Sequence, residues 1–416
     1  MRKGIAYCQS GFAPTYDATV VSNGFHNLTD AAAPKHISIG IIAWNEEHAI
    51  RRLLESLFRQ TLFAELEQRQ LTCEILCLAN GCSDRTADVA TELFAEASRS
   101  HPHASAFSGK ALNIRERGKI NAWNLFVHTA SAREAEYLFL LDADIILNHP
   151  ETLWSMVLTL QTHAEANIAV DKPCKEFEFK KSRTLRETLS LTVSNQTRSA
   201  TAQLCGQLYC IRSAIARNIY LPRDLTACDD GFIKAVVCTD FLAHNVWPMR
   251  IQRAPNATHT FEAYTSLKSI FKNQKRQVIG QTLVHILIDV YLKNLSPWQR
   301  SKLADTLREK ERTHPAWLKH LVREHLDRVR FCWRLYPGLL SHRFKRIANL
   351  NTFQKIAALP AVLLGSAITL AASFAAFRFL ATGYTDYWPR AERTLREPFP
   401  LSEPIARLGA LKIHQE

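Results

Sequence analysis

The run Tyr137-Leu138-Phe139-Leu140-Leu141-Asp142-Ala143-Asp144 is an apolar stretch that ends abruptly in two carboxylates. Alternate residues of an extended strand point the same way, so Asp142 and Asp144 can act together at the strand's carboxyl end. Oxygen donors of this kind suit a hard cation, Mg²⁺ or Mn²⁺, which is often held by only one or two carboxylates and completed by substrate phosphates. A phosphate-bearing substrate is therefore implied. An isolated Asp-x-Asp also opens loops and caps helices, so the decision rests on what else the chain places beside it.

Three more polar clusters follow apolar or helical patterns. Ile37 to Ala43 is an apolar run of strand length that leads into Trp44-Asn45-Glu46-Glu47, and Cys73 to Leu78 leads into Ala79-Asn80-Gly81-Cys82-Ser83-Asp84-Arg85-Thr86. Gly118-Lys119-Ile120-Asn121-Ala122-Trp123-Asn124 stands about 20 residues before Asp142. Between the first two strands, Ile50, Leu53, Leu54, Leu57 and Phe58 share one helical face. Strands alternating with helices predict an α/β fold, a mostly parallel sheet flanked by helices, with ligands outside the strands' carboxyl ends. The polar clusters lie at such ends.

Taken in order, these segments resemble a family 2 glycosyltransferase with the nucleotide-sugar-binding fold called GT-A, over about residues 37 to 285. Ala43-Trp44-Asn45-Glu46-Glu47 is similar to the family's Pro-x-Tyr-Asn-Glu, with Ala43 for proline and Trp44 for tyrosine; Trp44 suits either a ribose and base pocket or core packing. Ala79 to Thr86 resembles Asp-Asp-Gly-Ser-x-Asp-x-Thr, with Asn80 where the family's base-reading aspartate stands. An amide donates as well as accepts, so the resemblance implies uracil less firmly. Asp84 reads first as a helix cap. The segment from Gly118 resembles Gly-Lys-x-x-Ala-x-Asn and implies a phosphate contact for Lys119. By the same resemblance, Asp144 is the direct metal ligand and Asp142 contacts ribose or metal-bound water.

Asp229-Asp230 matches the family's acidic pair, which implies that Asp230 is the general base for an acceptor hydroxyl; the competing reading is a helix start favoured by two acids. Asn273 to Gly280 resembles Gln-x-x-Arg-Trp followed by Gly, with Arg276 and Gly280 retained and Gln277 in place of tryptophan. Arg276 is then a diphosphate partner or a surface arginine. The missing tryptophan points to transfer of a single sugar. The implied donor site comprises Ala43, Trp44, Asn45, Glu46, Asn80, Lys119, Asp142 and Arg276, with Asp142 and Asp144 for the metal.

Composition sets the surroundings. The 416 residues exceed one typical domain. The formal charge is +13, and between Arg300 and Arg346 there are 13 Lys and Arg against 5 Asp and Glu, a patch suited to phosphates, to an anionic membrane or to a solvated helical face. The ten cysteines form no Cys-x-x-Cys pair, which argues against zinc and fits a reducing cytoplasm. Residues 1–35 read as a poorly ordered leader, 36–285 as the GT-A domain and 286–416 as a C-terminal helical region.

No charged residue occurs from Ile356 to Phe377. That length would span a bilayer as one helix, lie at its interface, or be buried in the protein. The sequence-based expectation, as the resemblance implies, is an inverting, metal-dependent transferase of a single sugar at the cytoplasmic face of the inner membrane. Its expected partners are a nucleotide-diphosphate sugar and a hydroxyl acceptor, lipid-linked or otherwise, with no nucleic acid. Two competing readings are a sugar-nucleotide nucleotidyltransferase and an inactive membrane scaffold. The first expects a glycine-rich basic loop after strand one, and Ala43 to Glu47 is acidic and glycine-free.

Overall fold

The computed structural model describes residues 35–179, 202–262, 266–341, 344, 347 and 352–383. The leader, the tail that carries Arg390, Arg393 and Arg396, and Cys8 lie outside the described residues. Eight strands form one sheet in the order β3-β2-β1-β4-β7-β6-β8-β5. They are β1 Lys35–Ala43, β2 Thr72–Asn80, β3 Phe107–Ile114, β4 Tyr137–Asp142, β5 Ile146–Leu147, β6 Ile168–Lys175, β7 Leu208–Arg212 and β8 Ile251–Phe261.

The half built from β1 to β4 is parallel throughout. Beyond β4 the sheet is mixed: β7 runs antiparallel to both β4 and β6, β6 is parallel to β8, and β5 is antiparallel to β8. The mostly parallel expectation therefore holds for one half. The fold is GT-A-like, with helices on both faces. They are α1 Ala49–Leu57, α2 Leu62–Gln68, α3 Thr86–Ser100, α4 Lys119–Leu125, α5 Thr152–Thr162, α6 Ser213–Arg217 and α7 Asp229–Cys238, followed by α8 Leu267–His285, α9 Pro297–Ser301, α10 Leu303–Thr313, α11 Trp317–Val329 and α12 Thr352–Ala381.

Strand alternation divides the core in two. Ile37, Ile39 and Ile41 of β1 and Tyr137, Phe139 and Leu141 of β4 face one layer with Ile50, Leu53, Leu54 and Leu57 of α1. Leu138 and Leu140 face the other, with Trp123, Phe126, Phe232, Ile233, Val278 and Ile279. Gly40 is what lets Phe126 lie flat on β1, because a Cβ there would come within 2.8 Å of its ring. Cys73 and Cys77 are fully buried in the first layer, where they pack as small hydrophobes.

No break falls at residue 285, where the composition changes. Leu303, Leu307, Trp317, Val322, Leu326, Ala376 and Leu380 join the same apolar cluster as Phe232 and Leu283. The basic helices have apolar inner faces, and those faces complete the core of the transferase-like body. The described residues from 35 to 383 accordingly form one compact unit.

Candidate active site

The carboxyl ends of β1, β2 and β4 converge on the amino end of α4. Gly118 precedes that helix at φ +144°, a conformation that favours glycine, and its N–H donates to Asn80 Oδ1 at 2.9 Å. The other end of the same amide, Asn80 Nδ2, donates to the Ala43 carbonyl at 2.7 Å. Asn80 is buried and ties β1, β2 and α4 together. Asn45, at φ +54°, accepts from Ser83 N–H at 2.8 Å and fastens the loop after β1 to the loop after β2.

Glu46 is buried, and its N–H donates to Thr86 Oγ1 at 2.8 Å. Asp84 accepts from the N–H groups of Thr86 and Glu47 and so ties the start of α3 to the loop after β1, but the N-cap position is Arg85 and carries no side-chain cap, so the cap read from sequence is not formed as such. Trp44 belongs to neither core cluster. Its ring is half-buried, with the Arg117 guanidinium stacked 3.4 Å from the ring centre.

Lys119 is the hub of the site. Its Nζ lies 2.7 Å from Asp142 Oδ1 and 4.0 Å from Asp229 Oδ2, and donates to the Gly206 carbonyl at 3.0 Å. Burial works against the ammonium, but Asp142 and then Asp229 outweigh it, so its pKa is raised and the charge is held firmly. The pKa of Asp142 is raised, by burial first and against the pull of Lys119, with Asp144 and Asp229 adding like-charge repulsion. The Asp142 N–H donates to the Gln207 carbonyl at 2.9 Å, so the Cys205-Gly206-Gln207 segment supports both Lys119 and the end of β4.

Asp229 and Asp230 open α7. Cys228 precedes them in the left-handed region at φ +59°, and two acids in a first turn complement the helix dipole. Asp230 Oδ1 accepts from Gly231 N–H at 2.8 Å. Its pKa is raised, chiefly by burial and then by Asp229, while Gly231 N–H, Lys119 and Arg276 pull the other way. The helix start and the acidic pair are thus one structure: the turn that begins α7 presents Asp229 to Lys119 and places Asp230 beside it.

Arg276 comes to the same place on α8, where its charge acts on both Lys119 and Asp230. The approach of α8 depends on Gly280, since a Cβ there would sit 2.3 Å from Cys228 Sγ and 3.0 Å from the Ala227 carbonyl carbon. Gly280→Ala is expected to destabilise the fold by about 1–3 kcal/mol, the usual cost of overpacking, and to depress activity by shifting α7. Chemical denaturation together with turnover checks this.

The neighbouring thiols are not nucleophiles. Cys205 and Cys228 are each pushed up to about 12, mainly by burial, with nearby carboxylates adding to it. Beneath the site, His259 Nδ1 and Asp171 Oδ2 lie 2.6 Å apart, both fully buried, and His259 Nε2 is 3.4 Å from Gln207 Oε1. Neither Asp171 nor His259 was expected from sequence, because no local motif marks residues that meet only through the pairing of β6 with β8. Arg117 was missed because its partner Trp44 is distant in sequence, and Gly206 and Gln207 because the pairing of β7 with β4 is what brings them to Lys119 and Asp142.

Ala43, Trp44, Asn45, Glu46 and Asn80 lie at the ends of β1 and β2 or in the loop after β1, and Lys119, Asp142, Asp144, Asp229, Asp230 and Arg276 gather at the start of α4 and the end of β4. The chain matches the family model described as Glycosyl transferase family 2 over residues 38–216. This span belongs to that family. The family 2 span takes in Ala43 to Glu46, Asn80, Lys119, the Asp142–Asp144 pair and the Gly206–Gln207 support, and ends before Asp229, Asp230 and Arg276.

Among solved structures, the chain is similar to a mannosyltransferase from Pyrobaculum calidifontis in complex with GDP-Man and Mn²⁺, with 14% identity, TM-score 0.47, and coverage of 84% of this chain and 89% of that one. It is also similar to residues 1–349 of S. aureus TarS, with 13% identity, TM-score 0.37, and coverage of 84% and 90%. A third is glucosyl-3-phosphoglycerate synthase from Mycobacterium tuberculosis in complex with Mn²⁺, UDP-Glc and phosphoglyceric acid, with 14% identity, TM-score 0.38, and coverage of 63% and 82%. No curated protein matches the chain.

Proposed function

We propose that this family 2 enzyme transfers a single sugar, with inversion, from a nucleotide-diphosphate sugar to a hydroxyl acceptor carried at the cytoplasmic face of the inner membrane. The observation that carries the proposal is the meeting of Lys119, Asp142 and Asp229 within 4.0 Å at the end of β4, with Asp144 beside Asp142 and Asp230 beside Asp229.

Four carboxylates there face two cations, Lys119 and Arg276, an imbalance that favours a divalent ion. Among the described residues no cluster of three or more ligating side chains forms, so the donor set suits Mg²⁺ or Mn²⁺ shared between carboxylates and a substrate diphosphate, not a closed structural metal. Asp144 and Asp142 would hold it. Bound there, it supplies Lewis-acid stabilisation to the departing diphosphate.

The protein's own groups account for the rest. Lys119 keeps Asp142 and Asp229 in register and adds one fixed positive charge. Trp44 offers an aromatic face for the base, and Arg276 a planar cation for the diphosphate. Asp230 takes the proton from the acceptor hydroxyl as its oxygen bonds to the anomeric carbon and the bond to the nucleoside diphosphate breaks. One base and one in-line displacement give inversion.

Asp230 works only when deprotonated, and its pKa lies above the ordinary carboxylate value of 3.8. Turnover is therefore expected to fall as pH drops through that raised value, and to hold at higher pH. Release of nucleoside diphosphate from a panel of nucleotide sugars, assayed with Mn²⁺ and a membrane lipid extract across pH, tests the reading. Release that requires the lipid extract and fails on the acid side supports it; a profile flat down to the ordinary carboxylate value removes Asp230 as the base.

A further inference from the structure

α12 is apolar on both sides. Thr369, Ala372, Ser373, Ala376 and Leu380 are buried, and the helix packs along α8 and against the turn Cys332–Arg334. On the other side Leu359, Leu363, Leu370 and Phe374 recur at intervals of four, seven and four residues, and Leu364 flanks them. Between 42% and 65% of each of these five side chains is exposed. A surface helix of a soluble domain puts polar residues on that face. Here the first charged side chains are exposed Lys355 before the stripe and exposed Arg378 after it, the latter 5.9 Å from the Phe374 ring.

We propose that this face of α12 lies in the plane of an anionic bilayer surface, so that the chain is held by an interfacial helix and not by a spanning one. Three observations choose lipid over other occupants. The stripe from Leu359 to Phe374 is about 22 Å long at 1.5 Å per residue, short of the roughly 30 Å hydrocarbon core, while the opposite face belongs to the protein core and is unavailable to lipid. Basic side chains bracket the stripe as headgroup contacts require, and Lys275 Nζ sits over the Phe379 ring at 4.6 Å. The turn packed on α12 carries exposed Phe331 and Trp333, stacked at 4.7 Å with Arg334 beside them, an aromatic and basic pair suited to the interface.

The inference deepens the proposed membrane-borne acceptor. On α8, Arg276 faces the catalytic acids while its neighbour Lys275 reaches α12, so a single helix separates the lipid face from Asp230.

Flotation of the full-length protein with phosphatidylcholine vesicles, with and without phosphatidylglycerol, tests the contact without any substrate. The wild type is expected to float with the anionic vesicles and to be released by high salt or alkaline carbonate. Leu363→Asp with Phe374→Asp should lower the bound fraction more than tenfold, because two exposed apolar side chains that the bilayer would bury are lost. Lys355→Glu or Arg378→Glu should weaken binding at low salt about fivefold each, and only when phosphatidylglycerol is present. Thermal melts keep misfolding apart from lost binding, since all four positions are exposed. Three results would overturn the proposal: flotation of the double variant equal to wild type, retention through alkaline carbonate, or a dimer that never floats and that Leu363→Asp converts to a monomer. None of these bears on nucleotide binding, so the catalytic reading stands or falls separately.

Discussion

Asp144→Ala is expected to abolish sugar transfer and metal-dependent donor binding together. The two carboxylates stand at the end of a strand whose register is fixed on both sides, by β1 in parallel and by β7 in antiparallel pairing. The backbone beneath them is therefore rigid. Alanine removes an oxygen donor without disturbing Lys119, which keeps Asp142 and Asp229 as partners. Loss of a preorganised electrostatic contact at the leaving group lowers turnover by about 10²–10³-fold or more.

Asp142→Ala should weaken both activities and also release Lys119 from its nearest carboxylate, so its effect mixes metal binding with the loss of a charge partner. Turnover and donor titration of each variant, with Mn²⁺ varied, separate the two. Undiminished turnover by Asp144→Ala would remove this residue from the metal site.

Asp230→Asn should leave donor affinity nearly unchanged and reduce turnover by roughly 10²- to 10⁴-fold, the usual share of a general base. The amide has the carboxylate's shape and can still accept from Gly231 N–H, so the first turn of α7 is retained. It no longer takes a proton from the acceptor. Calorimetric titration of the donor against single-turnover rates is the informative pair. If donor binding vanished in a folded variant, Asp230 would belong to the donor pocket.

Much of this site was legible in the sequence because each of its parts is local. The strand of β4 reads from an unbroken apolar run, and its end reads from two acids with one residue between them. The same holds for Gly118-Lys119 at the start of α4 and for the apolar face of α1. The chain from residue 37 to 142 repeats strand, polar turn and helix, and parallel pairing brings those turns to one edge.

What escaped is non-local. Asp171 and His259 are 88 residues apart and meet only because β6 pairs with β8. The reversal at β7 cannot be seen in its four apolar residues, Leu208 to Ile211, since strand direction leaves no mark on a short run. Asn80 stands where the family's base-reading aspartate would, and its amide also braces the fold by donating to the Ala43 carbonyl and accepting from Gly118 N–H, partners 37 and 38 residues away that no local pattern marks. For α12, composition alone marked an apolar segment. Only packing shows that one side is core.

The most direct test of the account is calorimetric titration of the full-length protein with GDP, UDP, ADP and CDP, with and without Mn²⁺, repeated on Asp144→Ala. At least one nucleoside diphosphate is expected to bind the wild type when Mn²⁺ is present, to bind far more weakly without it, and to lose that dependence in the variant. Absence of binding by a folded wild type under every condition, or binding indifferent to both Mn²⁺ and Asp144, would contradict the metal-dependent donor site.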